Sequence, residues 1–77
     1  MLITIKYFGM LTEVANCNEE TIDFSGSDIS DLLDTLYAKH SKLRDINFQV
    51  AQNKELVPFE ARLTSNELVL LPPFAGG

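Results

Sequence analysis

The chain is poor in cysteine, histidine and glycine, which excludes several kinds of small protein. Its 77 residues include one cysteine, Cys17, which cannot form an internal disulfide. Small secreted domains usually depend on disulfides, so we expect this protein in a reducing cytoplasm. One His and one Cys fall short of a standard zinc site, and we expect no bound metal. The four glycines form no phosphate-binding loop.

Basic residues and long apolar runs are also scarce. Six Lys and Arg stand against eleven Asp and Glu, which gives a net charge of −5. Nucleic acids and anionic membranes both attract clustered positive charge, so neither is an expected partner. No apolar run approaches the roughly 20 residues that a membrane-spanning helix needs.

The spacing of apolar residues along the sequence predicts two apolar strands and one amphipathic helix. Residues 2–8 alternate between apolar and polar, which predicts a strand with Phe8 on the face away from the core. Residues 67–71 are almost continuously apolar, which is typical of a central strand. Apolar residues at helical spacing predict a helix with one buried stripe, preceded by Asp28 as N-cap. The stripe consists of Ile29, Leu32, Leu33, Leu36 and Tyr37.

Weaker patterns complete the predicted fold. Shorter segments predict strands at residues 21–24 and 46–51 and an edge strand at 56–57, which Pro58 ends. A long crossover would make the first and last strands parallel neighbours in the centre of a mixed sheet of about four to five strands. With one main helix on one face, this is an α+β fold of the β-grasp, or ubiquitin-like, type. We expect this domain to occupy residues 1–73.

No side chain stands in an obvious catalytic setting. His40 follows the polar end of the helix, where a solvated residue that suits the helix dipole is the simplest interpretation. Glu19 and Glu20 follow Cys17 closely and disfavour its thiolate, so we expect an inert thiol.

The carboxyl terminus offers chemistry that the side chains do not. The sequence ends in Phe74, Ala75, Gly76 and Gly77, directly after Pro72-Pro73, and we expect residues 74–77 to form a flexible tail. Two glycines without side chains can pass a narrow channel into a partner's active site. An ionised carboxylate is a poor electrophile, so Gly77 needs activation as an acyl-adenylate. A sulfur nucleophile that displaces AMP then leaves a thiocarboxylate.

Several segments resemble the small subunit of molybdopterin synthase, a ubiquitin-like sulfur carrier of molybdenum cofactor biosynthesis. The resemblance spans essentially the whole chain, and its most specific part is the double proline followed by the Gly-Gly end. The matching segments are residues 3–8, 29–33, 51–53, 56–59, 63–64 and 70–77.

This resemblance implies a reaction cycle. An E1-like adenylating enzyme would activate Gly77 with ATP, and a sulfurtransferase would supply the sulfur. The tail would then enter the large synthase subunit, where the sulfur passes to cyclic pyranopterin monophosphate and builds the molybdopterin dithiolene. Two small subunits would flank a large-subunit dimer in a heterotetramer. The chain would thus be the sulfur-donating subunit of an enzyme, with no catalytic side chain and no permanently bound cofactor.

The resemblance also implies a partly hydrophobic interface at Phe8, Leu56 and Leu71. Strand alternation independently places Phe8 and Leu71 on the outer face, although all three are also compatible with an ordinary core. Phe74 is expected to fill a groove along the path of the tail, because aromatic anchors favour interface cores.

Other functions would use the same chain end. One alternative is a sulfur carrier for the thiazole of thiamine, for a cysteine precursor or for tRNA. A second is a protein modifier that is joined to lysines through Gly77. A third is a plain interaction module.

Overall fold

The structure, a computed structural model, describes residues 1–73, and the predicted tail of residues 74–77 lies outside the described residues. The elements, in chain order, are β1 (Leu2–Tyr7), α1 (Leu11–Ala15), β2 (Glu19–Asp23), α2 (Ile29–Lys39), a 3₁₀ helix (Ser41–Asp45), β3 (Gln49–Gln52), β4 (Glu55–Val57) and β5 (Glu67–Leu71). Within residues 1–73, no helix is long and apolar enough to cross a membrane.

The strands form one mixed sheet in the order β2-β1-β5-β3-β4. β1 and β5 are parallel, with Tyr7 opposite Leu70, and the other neighbouring pairs are antiparallel. The long crossover therefore returns the chain to the strand next to its start. This arrangement confirms the predicted α+β class and its ubiquitin-like β-grasp topology, with β5 at the centre and β4 as a short edge strand.

The core lies between the sheet and α2. Ile3 and Ile5 from β1 and Leu68 and Leu70 from β5 are buried on the face that also holds the helix stripe. Ile29, Leu32, Leu33 and Leu36 of α2 are buried against them, and Tyr37 is partly buried. Burying one such aliphatic side chain contributes about 1.5–3 kcal/mol, so the predicted stripe accounts for much of the packing of α2.

The third strand differs from its prediction. β3 begins at Gln49, whereas the alternating pattern indicated a strand from residue 46. Before it, the chain turns through the 3₁₀ helix, which buries Leu43 completely. Phe48 then stacks on Phe59 with ring centroids 5.3 Å apart. The apolar residues of this segment therefore fill the end of the core beside α2 instead of extending the sheet.

The start of α2 also depends on a distant segment. Asp28 occupies the N-cap position, as predicted, but its carboxylate makes no capping hydrogen bond. The backbone N–H of Ile29 donates instead to the carbonyl oxygen of Ala61 at 3.0 Å, and Asp28 forms a β-bridge with Arg62. A carbonyl from a distant loop thus satisfies the first backbone donor of the helix, which would otherwise be unpaired.

Candidate functional site

The face of the sheet opposite α2 carries an apolar surface across three strands. The strand register places Val69 of β5 opposite Lys6 on one side and opposite Ala51 on the other. Ala51 is in turn opposite Leu56 of β4. Leu71 lies two residues after Val69 in β5 and therefore on the same face. Because directly opposed residues share a face, these apolar side chains form one continuous surface.

The three residues of the predicted interface lie on this outer side of the sheet. Phe8 directly follows β1 and is 47% exposed, Leu56 is 53% exposed, and Leu71 is half-buried. We call the surface formed by Phe8, Leu56, Val69 and Leu71, with the small buried side chain of Ala51 between the strands, the docking face. Contiguous exposed apolar surface of this kind marks interaction sites on small proteins. The structure therefore removes the alternative that Phe8 and Leu56 are core residues, and their contact with a partner stays a prediction.

The docking face adjoins the point from which the chain end departs. The backbone N–H of Phe8 donates to the carbonyl oxygen of Leu70 at 3.1 Å, so residues 8 and 71 lie side by side. Gly9 has a φ of +60°, and a Cβ atom there would lie only 2.6 Å from Cγ of Pro72. Pro72 thus packs directly onto the glycine turn that follows β1. The predicted tail, Phe74, Ala75, Gly76 and Gly77, follows Pro73 in the sequence and lies outside the described residues.

A polar cluster on the helix side of the sheet was not predicted. Tyr7 Oη donates to Oε2 of Glu20 at 2.6 Å, and Nε2 of His40 lies 2.6 Å from the same oxygen. Lys39 Nζ pairs with the other carboxylate oxygen. The prediction of a solvated His40 is wrong, because its side chain is only 13% exposed. Alternation in β2 places Glu20 on the same face as Ile22, and this signal could have indicated a partner beneath the helix end.

The electrostatics of this cluster keep Glu20 ionised. Burial by itself would raise the pKa of Glu20, but hydrogen bonds from Lys39, Tyr7 and His40 outweigh it and lower that pKa to about 2. Burial, followed by the adjoining carboxylate, raises the pKa of the Tyr7 hydroxyl far above its ordinary value. The pKa of Cys17 is also raised, first by burial and then by Glu20, while Lys39 acts in the opposite sense. A raised thiol pKa agrees with the expected inert cysteine.

Comparison with known proteins agrees with this architecture. The model of the ThiS family matches residues 5–77. The molybdopterin synthase sulfur carrier subunit of Mycobacterium tuberculosis is 31% identical over 80 residues, which cover 97% of this chain and 96% of that protein. SAMP1 from Haloferax volcanii is 28% identical with a TM-score of 0.80, and the match covers 100% of both chains.

A more distant likeness concerns the fold alone. A chain of the BexX/CysO complex from Amycolatopsis orientalis is 20% identical with a TM-score of 0.72, over 97% of this chain and 99% of that one. The family match extends over nearly all of the sequence. The chain therefore belongs to the ThiS family of ubiquitin-like sulfur carriers.

Proposed function

We propose that the chain is the sulfur carrier subunit of molybdopterin synthase and that Gly77 carries the sulfur as a thiocarboxylate. The observation that carries the proposal is the position of the docking face beside Pro72, at the base of a Gly-Gly end. A partner that covers Phe8 and Leu71 would have the last residues of the chain directed into it. The full-length similarity to the Mycobacterium tuberculosis subunit supports molybdopterin synthase as that partner.

The proposed chemistry takes place at the main chain of Gly77. A carboxylate oxygen attacks the α-phosphorus of ATP in an E1-like adenylating enzyme, and pyrophosphate leaves. Hydrosulfide (HS⁻) supplied by a sulfurtransferase then attacks the activated carbonyl carbon, expels AMP and loses its proton, which leaves the thiocarboxylate. In the large subunit, sulfur atoms from two loaded carriers pass to cyclic pyranopterin monophosphate and form the dithiolene, and each Gly77 returns to a carboxylate as water supplies the oxygen. The carrier provides binding and placement, while ATP and the catalytic groups belong to its partners.

The proposed assembly places the carrier at both ends of a large-subunit dimer in the cytoplasm. Phe8, Leu56 and Leu71 would contact the large subunit, and the tail of residues 74–77 would enter its active site. An exposed apolar centre with a polar rim is the usual anatomy of such interfaces. Here Lys6 lies next to Val69 and pairs with Glu67 at 3.4 Å, so these two residues form a charged rim of the docking face.

The loading reaction provides the first test. Purified chain is incubated with ATP, the E1-like adenylating enzyme and the sulfurtransferase, and its intact mass is measured. We expect the replacement of one oxygen by sulfur at Gly77. A variant that lacks Gly77 and a variant with one residue added after it should remain unmodified and keep the thermal midpoint of the parent. A parent chain that stays unmodified in the complete mixture would contradict every carrier function.

The acceptor requires a second measurement. Loaded chain is mixed with the large subunit and cyclic pyranopterin monophosphate, and the dithiolene product is measured. Formation of molybdopterin in proportion to the thiocarboxylate consumed is the expected result. A chain that loads normally but transfers no sulfur to this substrate would instead indicate a carrier for thiamine thiazole, a cysteine precursor or tRNA.

Protein modification is a second candidate, supported by the similarity to SAMP1, a small archaeal modifier protein. In that function the activated Gly77 would form an isopeptide bond with a lysine of a target protein. Mass spectrometry of digested cell extract would then detect lysines that carry the C-terminal residues of this chain. Such adducts should be absent from cells that produce the variant lacking Gly77.

A further inference from the structure

A surface groove of about 400 Å³ lies beside the docking face, on the side of β2. Its lining includes Lys6 and Phe8 from β1 and the turn after it, Thr12 from α1, and Asn18 and Glu19 at the start of β2. We call it the Glu19 groove. Phe8 belongs both to this groove and to the docking face, so a protein that covers one also reaches the other.

The groove holds a carboxylate whose charge is not balanced inside the described part of the chain. Glu19 lies opposite Lys6 in the antiparallel pair of β1 and β2. The next residue, Glu20, points to the other face of the sheet, where it contacts Tyr7. Lys6 Nζ lies 3.4 Å from Glu67 on the far side of β1, whereas Glu19 forms no ion pair within residues 1–73. The exposed Glu19 carboxylate and the Phe8 ring are therefore both available to a partner at one site.

We propose that the Glu19 groove receives an arginine side chain of the large synthase subunit. A guanidinium group can pair with the Glu19 carboxylate through two hydrogen bonds while its flat face rests on the Phe8 ring. The chain as a whole, with its net charge of −5, favours a cationic occupant over an anionic one. The inference rests on the proposed function, since it assigns the large subunit as the partner that covers the docking face.

Binding of the purified large subunit tests this assignment. The dissociation constant is measured by titration calorimetry for the parent chain, for Glu19→Gln and for Asp34→Asn. The second variant makes the same change of charge at an exposed position on α2, on the opposite face of the sheet. We expect Glu19→Gln to weaken binding about tenfold, because a charge-assisted pair is lost, and Asp34→Asn to leave it unchanged. Equal affinities of Glu19→Gln and the parent would overturn the proposal.

A double-mutant cycle identifies the occupant. Each surface arginine of the large subunit is replaced by Gln and tested against the parent chain and Glu19→Gln. For one arginine, the replacement should weaken binding of the parent chain about tenfold. The same replacement should weaken binding of Glu19→Gln hardly at all, because the pair is already lost. Losses that are independent of Glu19→Gln for every arginine would overturn the arginine assignment.

The loading assay separates this inference from the function on which it rests. If the parent chain loads with sulfur and binds the large subunit, and Glu19→Gln binds it with the same affinity, only the arginine site is disproved. A chain that loads but never binds the large subunit disproves both the site and the molybdopterin synthase assignment. Binding to the large subunit is therefore measured on chain that the intact mass shows to be loaded to the same extent for the parent, Glu19→Gln and Asp34→Asn.

Discussion

At the scale of single residues, Glu20 links three elements of the fold through one carboxylate. It belongs to β2, accepts a hydrogen bond from Tyr7 of β1, and pairs with Lys39 and His40 at the end of α2. Its side chain is only 12% exposed, so the charge is held mainly by these partners and not by water. Removing the charge would leave several polar groups without their partner, which is costly at a partly buried site.

The lowered pKa of Glu20 predicts a specific dependence of stability on pH. A carboxyl whose pKa falls from 4.5 to about 2 on folding stabilises the protein above pH 4.5, and that contribution is lost as the pH falls toward 2. We expect Glu20→Gln to lower the free energy of unfolding by about 3 kcal/mol at pH 7, with the difference shrinking toward zero near pH 2. Urea unfolding followed by circular dichroism at several pH values measures this.

The neighbouring Glu19→Gln provides the control for this pH series. Glu19 is exposed and lies on the other side of the same strand. Its substitution should leave the curve of stability against pH close to that of the parent. A Glu20→Gln variant whose curve is parallel to that of the parent from pH 7 to pH 2 would show that the cluster does not act through the charge of Glu20.

Phe8 is the residue on which the docking face is most directly tested. We expect Phe8→Asp to weaken binding of the large subunit about a hundredfold, because a charge would replace an exposed aromatic ring at the base of the tail. Thr4→Asp adds the same charge to the same side of β1, next to Thr21, and should have little effect. Surface plasmon resonance with immobilised large subunit measures both. Equal affinity of Phe8→Asp and Thr4→Asp would remove Phe8 from the interface.

At the scale of elements, α2 holds one side of the molecule while the docking face occupies the other. Leu32, Leu33 and Leu36 are buried in the core, so α2 stabilises the sheet without contributing to the docking face. This separation allows the two faces to be perturbed independently. Stability belongs mainly to the helix side, whereas the proposed partner binding belongs to the open side.

A truncation in α2 tests that separation. Leu36→Ala should lower the free energy of unfolding by about 2–5 kcal/mol, because it leaves a cavity beneath the helix. At a temperature where the variant stays folded, its affinity for the large subunit should equal that of the parent. Thr35→Ala, at an exposed position of the same helix, is the control and should change stability by less than about 0.5 kcal/mol. A loss of affinity in folded Leu36→Ala would show that the two faces are coupled.

At the scale of the whole molecule, the net charge of −5 bears on how partners are found. Under the proposed function, a basic surface around the partner's active site would attract this acidic carrier over some distance. Salt screens this attraction, and the Debye length falls from about 10 Å at 0.1 M salt to about 3 Å at 1 M. The charge therefore acts on the rate of association more than on the contacts that are finally made.

This difference predicts the kinetics of binding in salt. The association rate constant with the large subunit should fall about tenfold between 0.05 and 0.5 M NaCl, while the dissociation rate constant changes much less. Stopped-flow fluorescence over this range measures both constants. An association rate that is unchanged or higher in salt would indicate that apolar contacts, and not charge, determine the encounter.

The elements that were predicted well are those whose pattern is local. Alternation in β1 and the helical spacing of α2 predicted their buried faces, and the apolar run of β5 predicted its central place. The exposure of Phe8 also follows from alternation alone. The activation of the Gly77 carboxylate was predicted from the residue type and its place in the sequence. It stays a prediction, because residues 74–77 lie outside the described structure.

Contacts between residues far apart in the sequence could not be predicted and are determined by the tertiary structure. His40 and Glu20 are twenty positions apart, and only the sheet and the helix together bring Nε2 within 2.6 Å of the carboxylate. The hydrogen bond from the Ile29 N–H to the Ala61 carbonyl has the same origin, since their segments meet only in the folded chain. Leu56 acquires its place in the docking face from the register between β3 and β4. Periodicity reports which way a side chain faces within one element, whereas the identity of its neighbour depends on how distant elements pack.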